Sequence, residues 1–118
     1  MRPKMKKELV NFWEKFQPIK DEKTVSISFH VRPKIARQVA ELNEYVGVSK
    51  STFIGQIIGM RLDRVTKVEI VELKVRDVLM KCRVRESDLK KIETLAYKHN
   101  CTNSDVLRYI LHVAFTKS

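Results

Sequence analysis

Residues 24–31, TVSISFHV, alternate cleanly: Val25, Ile27, Phe29 and Val31 fall on one face of an extended chain, and Thr24, Ser26, Ser28 and His30 on the other. The spacing then lengthens. Pro33 suits the first turn of a helix, where its missing N–H costs nothing. Ile35, Ala36, Val39, Leu42 and Val46 recur at helical intervals and predict an amphipathic helix. Gly47, able to take positive φ, is expected to end it. Ser49 is placed to cap a second helix whose apolar residues are Phe53, Ile54, Ile57, Ile58 and Leu62.

The same pattern returns 53 residues later without a gap. Ile27, Phe29 and Val31 correspond to Met80, Cys82 and Val84; Ala36, Val39 and Leu42 to Leu89, Ile92 and Leu95; Gly47, Ser49, Ser51 and Ile54 to Asn100, Thr102, Ser104 and Leu107. A second strand is thus predicted over 79–84, and a helix opening at Glu86 or Ser87. Asn100 then stands at the left-handed position, and Thr102 caps a last helix carrying Val106, Leu107, Ile110, Leu111, Ala114 and Phe115. Each strand–helix–helix unit is too small to bury its own apolar face, and two in one chain supply each other's missing half.

Two segments lie outside the repeat. In 1–23, Met5, Leu9, Phe12, Trp13 and Phe16 share one helical face and Pro18 stops the helix, which predicts a basic amphipathic helix; such a helix could touch a membrane surface, but its short length favours docking on the domain or on a second copy. In 65–76, Val71, Leu73 and Val75 alternate with charged residues, which suits an extended part, an extra strand or an assembly surface, and the sequence does not decide between these. The organisation is therefore an N-terminal helix (1–23), a first unit (24–64), a connector (65–76) and a second unit (77–118), with 24–118 folding as one domain.

The chain has 118 residues, 43% of them hydrophobic, and a formal net charge of +10. That charge favours a polyanionic partner. No apolar run approaches membrane-spanning length and no signal peptide is visible, so no membrane partner is expected. Cys82 and Cys101 have spacing that suits neither a zinc site nor a disulfide framework, and a reduced cytoplasmic setting follows. His30, His99 and His112 form no ligand cluster in sequence, so no metal is expected. With no catalytic triad pattern, phosphate loop or carboxylate motif, the chain reads as a binding protein without a cofactor, not an enzyme.

The two turns, Gly47-Val48-Ser49-Lys50-Ser51 with Ile54 and Asn100-Cys101-Thr102-Asn103-Ser104 with Leu107, each stand a fixed distance behind an alternating strand. In this the chain resembles the ribbon–helix–helix family of DNA-binding proteins over about 24–64 and 77–117. It is similar to tandem members, such as archaeal viral regulators and accessory proteins of conjugative plasmids. The resemblance implies a mainly α fold with a two-stranded antiparallel β-ribbon, in which both units form an intramolecular pseudo-dimer. It also implies a ribbon entering the major groove of double-stranded DNA.

Under that resemblance the polar strand faces read bases. Ser26, Ser28 and His30 come from the first unit and Lys81 and Arg83 from the second, with Leu79 at the outer position. The helix N-termini clamp phosphate through Ser49, Lys50 and Ser51 in one unit and Thr102, Asn103 and Ser104 in the other. The implied function is a sequence-specific transcriptional regulator, most simply a repressor. The alternatives are a plasmid or viral accessory factor that marks an origin or partition site, and an antitoxin or assembly module. Self-association through the N-terminal helix or the 65–76 connector would give cooperative coating of DNA.

Overall fold

The computed structural model describes residues 23–116. The helix expected within 1–23 lies outside the described residues. The chain runs β1 (Thr24–Val31), α1 (Pro33–Asn43), α2 (Lys50–Arg61), a 3-10 turn (Leu62–Arg64), β2 (Val78–Arg85), α3 (Glu86–Lys98) and α4 (Asn103–Thr116). The order strand, helix, helix thus occurs twice. The equivalent helices α1 and α3, and likewise α2 and α4, start 53 residues apart.

The two strands pair with each other, antiparallel, in one two-stranded sheet. A two-stranded ribbon alone is marginal in water, so its stability must come from what covers its apolar face. Here all four helices do so. Phe29 and Val31 of β1 and Met80, Cys82 and Val84 of β2 are buried against one continuous core. That core includes Val39 of α1, Ile54, Ile57 and Ile58 of α2, Ile92 of α3, and Leu107, Ile110 and Leu111 of α4. Neither half has a separate core. Leu89 and Leu95, expected inside, are only half-buried at its margin.

The turns follow from backbone freedom. Gly47 takes φ +70° and Asn100 takes φ +56°, so the left-handed residue falls at the same point of both halves. α1 itself ends earlier than the glycine suggests. Its last turn gives way at Glu44, and a run of turns leads on to Gly47.

Of the readings open for the connector, the extra strand does not form. Residues 65–74 adopt neither strand nor helix, although Val71, Leu73 and Val75 alternate. A strand needs a partner for its backbone groups, and the sheet consists of β1 and β2 without a third strand from the connector. Ile70, Leu73 and Val75 remain exposed. The connector is tied down at its end instead. Arg32 holds the Asp77 carboxylate at 3.0 Å and reaches the Glu72 carbonyl, while the Lys74 amide donates to Asp77 at 3.0 Å.

Candidate nucleic-acid interface

Because side chains alternate along a strand, burying one ribbon face leaves the other in solvent. The register sets the outer pairs: Thr24 opposite Arg85, Ser26 opposite Arg83, Ser28 opposite Lys81 and His30 opposite Leu79. Ser26, Ser28, His30, Leu79, Lys81 and Arg83 are all exposed. The five residues expected to read bases therefore stand together on one open face, with Leu79 among them.

Arg85 differs. Although it lies on the same face at the strand's end, its side chain turns to the Asp88 carboxylate, Nε to Oδ2 at 2.9 Å. Asp88 is 2% exposed, so the pair is anchored in the protein. Two charges removed from water persist together only when paired.

The ribbon is supported from behind by two unlike devices at equivalent positions. Gly55 of α2 lies directly under Arg83: a Cβ added there would sit 1.6 Å from the Arg83 carbonyl oxygen. Fifty-three residues on stands Arg108 of α4, only 5% exposed. Its Nε donates to the His30 carbonyl at 2.7 Å, and its Nη1 donates to Asp105 Oδ1 at 2.9 Å. One helix thus touches the ribbon with bare backbone, and the other reaches it through a guanidinium. Both contacts fix the main chain beneath an exposed polar side chain.

The helix N-termini are also unlike. At α2, Ser49 caps the helix: its Oγ accepts from the Thr52 amide at 3.3 Å and donates to the Thr52 hydroxyl at 2.8 Å. Ser49 and Lys50 are exposed, Ser51 is half-buried, and the first turn contains no acid. Unpaired amides, the helix dipole and a lysine together favour an anion there. At α4, Thr102 and Asp105 bond reciprocally: the Asp105 amide donates to the Thr102 hydroxyl and the Thr102 amide to the Asp105 carboxylate, both at 3.1 Å. This is a capping box with aspartate in the third position.

Thr102 is exposed, and Asn103 and Ser104 are half-buried. Burial pushes the Asp105 carboxyl up, but the bonds from Thr102 and Arg108 outweigh it and hold the group below its ordinary value. A fixed negative charge thus occupies the amide end at which a phosphate was expected. The turn at Thr102, Asn103 and Ser104 thus offers an anion less than the turn at Ser49, Lys50 and Ser51, whose first helical turn holds no acid. Asp105 three residues after Thr102 is the sequence signal that identifies this.

Arg108, Asp88 and Gly55 are the residues that sequence reasoning missed. A glycine inside a helix costs about 1 kcal/mol against alanine, which is the one prior hint of a close approach at 55. Local spacing pairs Arg108 with Asp105 three residues earlier on α4, but it gives no sign of the contact with the His30 carbonyl, which is remote in sequence.

Cys82 is buried and unpaired, its thiol pushed up to about 12 by burial; it is inert packing on the inner ribbon face. Among the described residues, no group of three His, Cys, Asp or Glu side chains is placed to hold a metal. Among them too, no helix is long and apolar enough to cross a membrane. Comparison with protein-family models, curated proteins and solved structures found no match.

Proposed function

We propose that this chain binds double-stranded DNA sequence-specifically, as a regulator of transcription that acts by occluding a promoter. In this reading its two halves form an intramolecular pseudo-dimer of the ribbon–helix–helix kind, and the ribbon β1–β2 enters the major groove. The observation that carries the reading is the register. It brings Ser26, Ser28 and His30 alongside Arg83, Lys81 and Leu79 on the exposed face of a ribbon whose other face is core.

A two-stranded ribbon fits the major groove, and arginine or lysine there donates to guanine O6 and N7. The net charge of +10 supplies the non-specific attraction to phosphate. Lys50 at the acid-free N-terminus of α2 supplies a fixed backbone contact, which sets register without reading sequence.

The test is a binding titration on duplex DNA across a salt series. Affinity is expected to fall steeply, with a slope of about −0.9 per phosphate neutralised. Arg83→Ala should relax base preference, each good contact being worth roughly 1–3 kcal/mol of discrimination. Lys50→Ala should instead weaken binding to all sequences alike and reduce the salt slope by about 1. If neither substitution alters DNA binding, the ribbon is not the interface.

A further inference from the structure

Resting on the DNA reading above, we infer that this protein's target site is directional: one arm is read at guanine by Arg83, the opposite arm at a thymine methyl by Leu79, about a central guanine read by Lys81.

The register gives this inference its geometry. The repeat offset of 53 maps Ser28 onto Lys81, and these two residues are also cross-strand partners. A local two-fold axis relating the halves therefore passes between them. The same operation exchanges Ser26 with Leu79 and His30 with Arg83. A protein with identical halves would show the groove equal chemistry on both sides of that axis. This chain does not.

On one side of the axis Ser26 lies beside Arg83; on the other His30 lies beside Leu79. The first pair offers a forked set of N–H donors with a hydroxyl. The second offers an imidazole and a branched apolar side chain that is 61% exposed. Guanine is the base that presents two acceptors in the major groove, and thymine is the base that presents a methyl. The flanking arginine does not blur the difference, because Arg85 is turned to Asp88.

The distances fit a short site. Successive outer pairs are two residues apart, about 7 Å along the ribbon, which is roughly two base pairs at about 3.4 Å each. Guanine is thus expected about two base pairs to one side of the Lys81 contact, and thymine about two to the other. Main chain is held from behind on both arms, by Gly55 under Arg83 itself and by the Arg108 guanidinium under His30, the cross-strand partner of Leu79. That support keeps the two arms from exchanging roles by a shift of the ribbon. The phosphate clamps carry the same polarity, since Asp105 occupies one helix N-terminus and no acid occupies the first turn of the other.

The test is site selection from a randomised duplex library with the full chain, repeated with Ser26→Leu/Ser28→Lys/His30→Arg, which copies the β2 outer face onto β1. All three positions are exposed, so the core is untouched; thermal melting reads the modest cost of setting a lysine at 28 opposite Lys81. The parent should return a motif unequal about its centre. Inverting only the thymine arm should cost about tenfold in affinity and should cost nothing in Leu79→Ala. The symmetrised variant should return a palindrome. A palindrome from the parent, or the same motif from both proteins, overturns the directional site while leaving DNA binding intact. Failure to enrich any duplex would overturn the DNA reading itself, and this inference with it.

Discussion

Gly55 occupies a position where a single methyl group decides whether helix and ribbon can meet. Alanine there would gain about 1 kcal/mol of helix propensity. Its Cβ would also lie 1.6 Å from the Arg83 carbonyl oxygen, a backbone atom that has no rotamer by which to move away. Overpacking commonly costs about 1–3 kcal/mol, and a backbone clash belongs at the top of that range. Steric cost therefore wins. Gly55→Ala should lower stability by about 2 kcal/mol net, measured as a shift in urea midpoint at unchanged slope. Gly59→Ala is the comparison. Its Cβ would meet Asp88 Oδ2 at 2.9 Å, a side-chain terminus, and the variant should stay within about 1 kcal/mol of the parent. Equal losses at the two positions would show that the close approach of α2 to β2 is not what Gly55 provides.

The N-terminal turn of α4 and the start of β2 are held by carboxylates that fold into donor-rich surroundings. Asp105 accepts from Thr102 and Arg108, and Asp77 accepts from Lys74 and Arg32. For each, burial raises the carboxyl, the hydrogen bonds and arginine charge lower it, and the net value lies below the ordinary 3.8. A carboxyl depressed by folding contributes fully above its unfolded-state value, and that contribution is lost as pH falls through the folded-state value. Stability should therefore hold near pH 5 and drop below about pH 4, read as the urea midpoint at successive pH values. Arg108→Met should show a shallower acid drop, because Asp105 loses a donor there. The same variant should be less stable at neutral pH by about 2 kcal/mol, since the Asp105 carboxylate loses its cation while keeping Thr102, and the His30 carbonyl loses its donor. An acid profile identical to that of the parent would remove Arg108 from this account.

At the scale of the whole molecule, the shared core makes the two halves one folding unit. Phe29 and Val31 bury against the same cluster as Met80, Cys82 and Val84, and each strand's only partner among the described residues is the other. A piece spanning 24–64 keeps one strand and two helices but exposes their whole inner face. Such a piece is too small to offset its chain entropy alone. It should show little helix by circular dichroism at low concentration, and should gain helix only as it self-associates. The full chain should melt in one concentration-independent transition. A folded monomeric half would mean that the repeat is two domains and not one.

Much of this arrangement is written locally. The alternation in 24–31 and 79–84, the helical stripes behind them, and the paired left-handed positions at Gly47 and Asn100 depend on near neighbours, which a linear pattern records. The polar strand faces were legible for the same reason, since alternation fixes which residues share a face before any partner is known. At 65–76 alternation decided less, because it records which residues share a face and not whether their backbone finds a partner, and no third strand joins the sheet there. What folding alone settled is who stands opposite whom: Lys81 against Ser28, Arg83 against Ser26, Gly55 beneath Arg83, Arg108 beneath His30. Those relations join residues remote in sequence through one packed core. Close packing, which has no period along the chain, chose between a bare backbone contact on one side and a buried guanidinium on the other.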